Sequence, residues 1–348
     1  AYYWSFVEFG KESLSSEFLW FTEIMVKSDS VNQIDGLGAG QLCKHMLLAF
    51  DEMQTEGFQC GSIIIWAKVR KFISDEAAQK TSFDVSGASG SLPCLKCRNV
   101  VGKKAFDKMR DKTGFVSIAE LDVNSFTRHD DNTIIANASW LAANRHLTKT
   151  EFAKLQTSLG LRYAPNGVLL CTSFNVTSSI CFDWQHVYFV HGIFNNEVGA
   201  LIDMLHSKTI NGTKVTHKVF HEFCSAFKMP FQHKAGTGVF EKRSRDGGAL
   251  VCSASEALGV FKIIEMFLCL RVFDNSDSNV QAACVSFYAL CRVCEALTMT
   301  ARGNVSPSGL LELIVTHLRR FKAAYGSSSF VPKCHSASHL PEQLEKWD

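Results

Sequence analysis

Two β-rich runs of strand length, Ser62-Ile63-Ile64-Ile65-Trp66 and Val69-Arg70-Lys71-Phe72-Ile73, stand in a chain whose other apolar windows mostly repeat at helical spacing. Strands this short are stable only beside others, and an amphipathic helix only when its apolar stripe is covered. Strands early and helices later, with interruptions, therefore predict an α/β domain carrying helical insertions. The spacing predicts mostly helix over residues 1–56, with Gln41–Phe50 following a glycine break at Gly36–Gly40. Helical patterning returns over 133–160, where Thr148-Lys149-Thr150-Glu151 offers a capping box, and over 196–206, 215–227, 254–270 and 279–298. Gly167–Cys171 and Val187–Val190 read as short buried segments on either side of Asp183. The expected organisation is an N-terminal helical segment (1–56), a core (57–273) holding a Cys-x-x-Cys knuckle and a helical insertion (98–165), and a helical C-terminal region (274–348).

At 348 residues the chain can bury about three-quarters of its unfolded surface. Thirty-six Lys and Arg against 34 Asp and Glu leave a net charge of +2, so any contact with nucleic acid must come from local patches. Thirteen cysteines, odd in number and scattered through apolar runs such as Phe267–Leu270, suit a reduced intracellular compartment better than a disulfide scaffold. Asn137, Asn175, Asn211 and Asn304 lie in glycosylation tripeptides, which arise often by chance and are given no weight. The most apolar long window, Ala257–Phe273, contains Lys262 and Glu265, and no membrane span is expected. The start at Ala1, running at once into Tyr2-Tyr3-Trp4, suggests a fragment of a longer polypeptide.

Cys94-Leu95-Lys96-Cys97 has the spacing at which one turn presents two thiolates to a tetrahedral zinc ion. His129, Asp130, His186, Cys334, His335 and His339 could complete the site, and spacing alone does not choose among them. Cys291-x-x-Cys294 instead lies in a helical pattern with Cys284 and Tyr288 and reads as core. Asp75 follows an apolar strand, Asp183 heads Asp183-Trp184-Gln185-His186 in an apolar setting, and Glu256 follows Ser253-Ala254-Ser255 at a helix start. Capping explains each acid singly; together they are the ingredients of a site holding two divalent metals through oxygen ligands. Lys103, Lys104, Lys108, Arg110 and Lys112 form one basic stretch, and Lys242, Arg243 and Arg245 lie in a Gly-rich basic loop. Both could meet phosphates or be solvated surface charge.

The order of these motifs resembles the transposases of cut-and-paste DNA elements of the CACTA-like superfamily. The resemblance rests on Asp75-x-x-Ala78, Pro93-Cys94-x-x-Cys97, Asp183-x-x-His186 followed by Gly192, Ser255-Glu256 before an apolar helix, Val31-Asn32-Gln33-Ile34-Asp35, and a tail Pro332-Lys333-x-His335-x-x-x-His339-Leu340. It implies an RNase H-like mixed sheet with a DDE/D triad, two Mg²⁺ or Mn²⁺ ions, and cleavage and transfer of DNA strands in the nucleus. Carried over, Asp75, Asp183 and Glu256 would bind metal with His186 near them. A rival assignment makes Asp35 the first acid and Asp75 the second. Element-end DNA, and a second copy of the chain, are the expected partners. Trp184, Gln185 and Ala77 depart from the family pattern, which leaves open a domesticated or inactive relative acting as a zinc-stabilised DNA- or protein-binding module.

Overall fold

The two β-rich runs form shorter strands than their sequence allows. In the computed structural model, which describes residues 2–9, 16–31, 33–34, 38–165, 167–210, 212–227, 239–240, 245–246, 248–300 and 303–345, the first run supplies β4 (Ile63–Ile65). It turns back antiparallel onto β3 (Phe58–Cys60). Only Phe72–Ser74 of the second run is extended, as β5, and it pairs with β8 (Ile180–Phe182). The strands of the described residues pair two by two, and helix dominates, so the fold is mixed α/β.

The described part of 1–56 holds α1 (Ser28–Val31), α2 (Gly38–Thr55) and two 3-10 turns (Val7–Phe9 and Glu17–Leu19), but also a pair that the periodicity did not suggest, β1 (Tyr2–Trp4) antiparallel with β2 (Phe21–Ile24). The cause is aromatic: the Trp4 ring stacks on Phe21 at 4.4 Å and meets Phe6 and Phe50 edge-on, contacts that an extended pair can make.

The chain divides into two units, one of Ala1–Ser117 with Phe126–Cys181, the other of Ile118–Ser125 with Phe182–Asp348. The first also contains α3 (Glu76–Ser82), β6 (Val100–Val101), α4 (Lys103–Lys108), β7 (Val116–Ser117), α5 (Asp131–Ala143), α6 (Lys149–Leu159), α7 (Val168–Cys171) and α8 (Val176–Ser179). The capping box read at Thr148 is present: its hydroxyl and Glu151 cap the start of α6 reciprocally. Leu47 of α2, Ile134 and Leu141 of α5, Val168 of α7 and Ile180 of β8 fill the core, where Phe83 stacks on Phe174 and meets Phe72 edge-on. Each such side chain contributes roughly 1.5–3 kcal/mol on burial.

Asp84 is the anomaly of this core. Its backbone is left-handed at φ 53°, it is 4% exposed, and its Oδ1 is buried without a hydrogen-bond partner. A Cβ on Gly167 would come within 2.7 Å of Asp84 Oδ2, so a larger residue here requires the buried carboxyl to move. Burial pushes the Asp84 carboxyl up to about 7, with Arg162 pulling the other way.

The second unit is almost wholly helical: α9 (Trp184–Tyr188), α10 (Ile193–Ser207), α11 (His217–Ser225), α12 (Ala254–Arg271), α13 (Ser278–Met299), α14 (Pro307–Tyr325), α15 (Pro332–Ala337) and α16 (Leu340–Glu345), with the small pair β9 (Arg245–Asp246) and β10 (Ala249–Leu250). The helices expected at 196–206, 215–227, 254–270 and 279–298 are all there. By length and composition α13 could cross a membrane, although no span was expected from the sequence, whose most apolar long window was Ala257–Phe273. Val280, Cys284, Phe287, Leu290, Cys291 and Cys294 are nonetheless fully buried, so α13 is a core helix and the second Cys-x-x-Cys is packing. Its most extensive partner is α14. Inside lies a polar knot with no exposure: Glu197 of α10 accepts from Ser286 Oγ of α13 at 2.7 Å and pairs with His317 Nε2 of α14 at 2.7 Å. At Gly199 a Cβ would stand 2.0 Å from the Gly248 carbonyl, so α10 can lie against the β9–β10 turn only with glycine there.

Two measurements test these assignments. Glu197→Ala strands a buried imidazole and hydroxyl and should cost about 3–5 kcal/mol in denaturant unfolding. The sign for Asp84 follows from its raised value: the folded chain holds that proton more tightly than the unfolded one. Stability is therefore lost as pH rises from the ordinary aspartate value of 3.8 to about 7, then levels off. Asp84→Asn should flatten that decline when urea midpoints are compared at pH 5 and pH 8; an equal decline in both proteins rules the assignment out.

Candidate metal centre

The Cys-x-x-Cys loop is held by backbone before any metal is considered. Arg98 N donates to Thr127 O at 2.9 Å, His129 N to Lys96 O at 2.9 Å, and an antiparallel bridge joins Cys97 to Arg128. Asn99 braces the turn from within: its Oδ1 accepts from Thr127 N at 2.8 Å and its Nδ2 donates to Gly114 O at 3.2 Å. Cys94 is 8% exposed and Cys97 is fully buried. Burial first, and then the neighbouring Cys97, push the Cys94 thiol well up. Two thiols in such a place resist ionisation until a cation supplies the missing charge. One partial source is on hand, because Arg128 Nη1 donates to Cys97 Sγ at 3.3 Å.

In the C-terminal segment His335 lies on α15 and His339 immediately precedes α16, four residues on, so their rings face each other with Nε2 atoms 3.2 Å apart. His335 is 3% exposed and His339 not at all. The His339 ring stacks on Phe182, and its Nδ1 lies 3.2 Å from Glu342 Oε1, which sets the Nε2 lone pair toward a ligand. Each unit thus holds a buried pair of metal-type donors: Cys94 and Cys97 on one turn of the first, His335 and His339 side by side in the second. Of the histidines read as weak candidates, His335 and His339 are that second pair. His129 sits beside the thiol loop, its backbone bonded to Lys96 and its Nδ1 buried without a hydrogen-bond partner.

The acids occupy strand ends and helix starts. Asp75 follows β5 and N-caps α3, accepting from Ala78 N at 2.6 Å. Asp183 follows β8 and N-caps α9, accepting from Gln185 N at 2.8 Å, while its Oδ2 meets His186 Nδ1 at 2.7 Å. The two strands that lead into these aspartates are hydrogen-bonded neighbours. Around Asp183 the backbone is pinned: Gln343 pairs through its side-chain amide with both Phe182 N and Phe182 O, and Lys333 Nζ donates to the carbonyls of His186 and Val190. Glu256 is bound up locally, its Oε2 accepting from Ser253 N at 2.8 Å and Ser253 Oγ at 2.9 Å in the capping box of α12. Asp35 lies outside the described residues.

Of the basic candidates, Lys103, Lys104 and Lys108 lie on α4, Arg110 follows it exposed, and Lys112 Nζ sits over the Phe106 ring at 4.6 Å. Lys242 and Arg243 lie outside the described residues, and Arg245 opens β9. Sequence reasoning missed Arg128, Gln343 and Glu342. Only the last left a signal, three residues after His339 on what becomes the same helical turn.

Comparison of the chain with protein-family models, with curated proteins and with solved structures gives no match.

The purified chain should retain one equivalent of metal. Cys94→Ser and Cys97→Ser should each lower that content sharply, as read by elemental analysis and by the thiolate charge-transfer band of the cobalt-substituted protein. Metal content equal to wild type in both variants would remove the thiol pair as the site.

Proposed function

We propose that this chain is the catalytic region of a DDE-type DNA transposase of the CACTA-like kind, acting in the nucleus on element-end DNA and stiffened by a structural zinc ion. One observation carries the catalytic part: the strands preceding Asp75 and Asp183 are hydrogen-bonded to each other. Neighbouring strands running into aspartates are what an RNase H-like site with paired metals requires, because hard oxygen donors must be anchored on rigid backbone. Asp75, Asp183 and Glu256 are the residues that would hold Mg²⁺ or Mn²⁺. The metals' contribution would be to activate water or a 3′-hydroxyl and to steady the leaving 3′-oxygen in an in-line displacement. The chain's own part is orientation. His186 fixes the rotamer of the Asp183 carboxylate, Gln343 satisfies the last backbone groups of β8, and Lys333 holds the carbonyl end of α9. The basic α4 supplies cations for phosphate contacts, so binding should weaken steeply with salt.

The zinc assignment rests on donor chemistry. Cys94 and Cys97 in a C-x₂-C pattern are soft donors, unsuited to Mg²⁺ and typical of zinc. Both are buried, so the role read for the ion is structural.

A second reading, an inactive relative that binds DNA or protein through the same zinc-stabilised scaffold, is favoured by the engagement of Glu256 in its own helix cap. Nicking of supercoiled plasmid separates the two. The catalytic reading expects Mg²⁺- or Mn²⁺-dependent nicking that Asp183→Asn reduces by at least 100-fold without loss of zinc. Absence of nicking in the wild-type chain, or nicking that survives Asp183→Asn, leaves the binding module.

A further inference from the structure

The thiolate loop is tied to strand β8 by a short covalent path whose two ends are both side-chain contacts. At one end Arg128 Nη1 donates to Cys97 Sγ at 3.3 Å, while the segment 127–129 is bonded to the loop through Arg98 N, His129 N and Asn99 Oδ1. Asp130 then caps α5, its Oδ1 accepting from Thr133 N at 2.9 Å. At the other end Asp131, the first residue of α5, reaches back to the chain just before β8: Oδ1 accepts from Thr177 N at 2.7 Å and Oδ2 from Ser178 Oγ at 3.2 Å. The Ser178 carbonyl in turn accepts from Lys71 Nζ, one residue before β5, at 3.3 Å. Asp131 thus replaces the N-cap that α8 lacks, since Asn175 makes no side-chain cap bond.

We propose that residues 126–131 form a positioning bracket, in which metal held by the Cys94–Cys97 loop fixes the start of β8, and with it the approach to Asp183, through Arg128 and Asp131. The proposal rests on the zinc reading. A bound ion immobilises Cys97; the Arg128 contact and the backbone ladder fix strand 127–129 against it; that strand sets the first turn of α5 and hence the Asp131 carboxylate. None of these residues needs to touch the metal or the DNA. Arg128 and Asp131 are positioning residues, and coupling of this kind is reciprocal: whatever metal does for β8, the Asp131 tie must do for metal affinity.

Two readouts on the full chain decide it. In the zinc-loaded protein the amides of residues 177–181 should be protected from hydrogen exchange. Asp131→Ala should speed their exchange about tenfold, leave α13 unchanged, and weaken zinc binding in chelator competition by about tenfold. Asp131→Asn, which keeps an oxygen acceptor for Thr177 N, should restore most of both, and Arg128→Lys should retain more zinc affinity than Arg128→Ala. If Asp131→Ala binds zinc as tightly as wild type, the bracket does not exist, whatever happens to the amides. Unchanged exchange at 177–181 overturns it equally. A wild-type chain that holds no zinc fails at the first measurement, so loss of the zinc reading is told apart from loss of the bracket. Should chelation unfold the whole chain, exchange in the zinc-loaded Asp131 variants still separates these outcomes.

Discussion

Two thiols buried side by side pose the electrostatic problem around which the first unit is organised. Cys97 has no exposure and Cys94 very little, and burial together with the neighbouring Cys97 pushes the Cys94 thiol well up. A loop that needed only to turn would have no reason to carry such groups, since serine or glycine would make the turn at lower cost. The surroundings are prepared for a negative pair next to a cation: a guanidinium on one sulfur, a backbone ladder on both sides, and an asparagine committing both ends of its amide to the loop. A cation bound there would offset the charge of two thiolates, with Arg128 already beside Cys97.

The second unit solves a different problem by the same rule that buried charge must be matched. Glu197 lies in the centre of a helical packing made of aromatic and aliphatic side chains, and it is tolerated because Ser286 and His317 face its two oxygens. Three helices contribute one group each, so the knot works only when α10, α13 and α14 are in register. It thereby selects one packing among many that an apolar interface would permit. Elsewhere in the same unit Gln343 and Lys333 hold the backbone on either side of Asp183.

Much of this was legible in advance, and the reasons are local. The helices at 193–207, 254–271 and 278–299 announce themselves by period and caps; Thr148–Glu151 and Ser253–Glu256 are complete start signals within four residues. Cys94-x-x-Cys97 was readable as a half-site because two thiols must share one turn. The failures are equally physical. Helical spacing at the N-terminus gave way to an aromatic pair, Trp4 on Phe21, whose partners are seventeen residues apart in sequence. Apart from these failures, the cap reading of Asp75 and Glu256 is seen in the structure, because a cap is satisfied within one turn whatever else the residue does. The strain at Asp84 and the bracket through Arg128 and Asp131 left no sequence signal at all.

By itself, then, the sequence determined most of the helical segments of the second unit, that most cysteines of the apolar runs pack in cores, and that Cys94 and Cys97 have the spacing of paired metal ligands. These follow from periodicity, composition and the reach of a single turn. Only the tertiary structure decided that β5 and β8 are partners although more than 100 residues separate them. It also decided that Glu197 is matched inside its helices. Partnership over such distances is set by which apolar surfaces find each other when the core closes and which buried polar groups must then be satisfied, and neither quantity is written in any short stretch of chain.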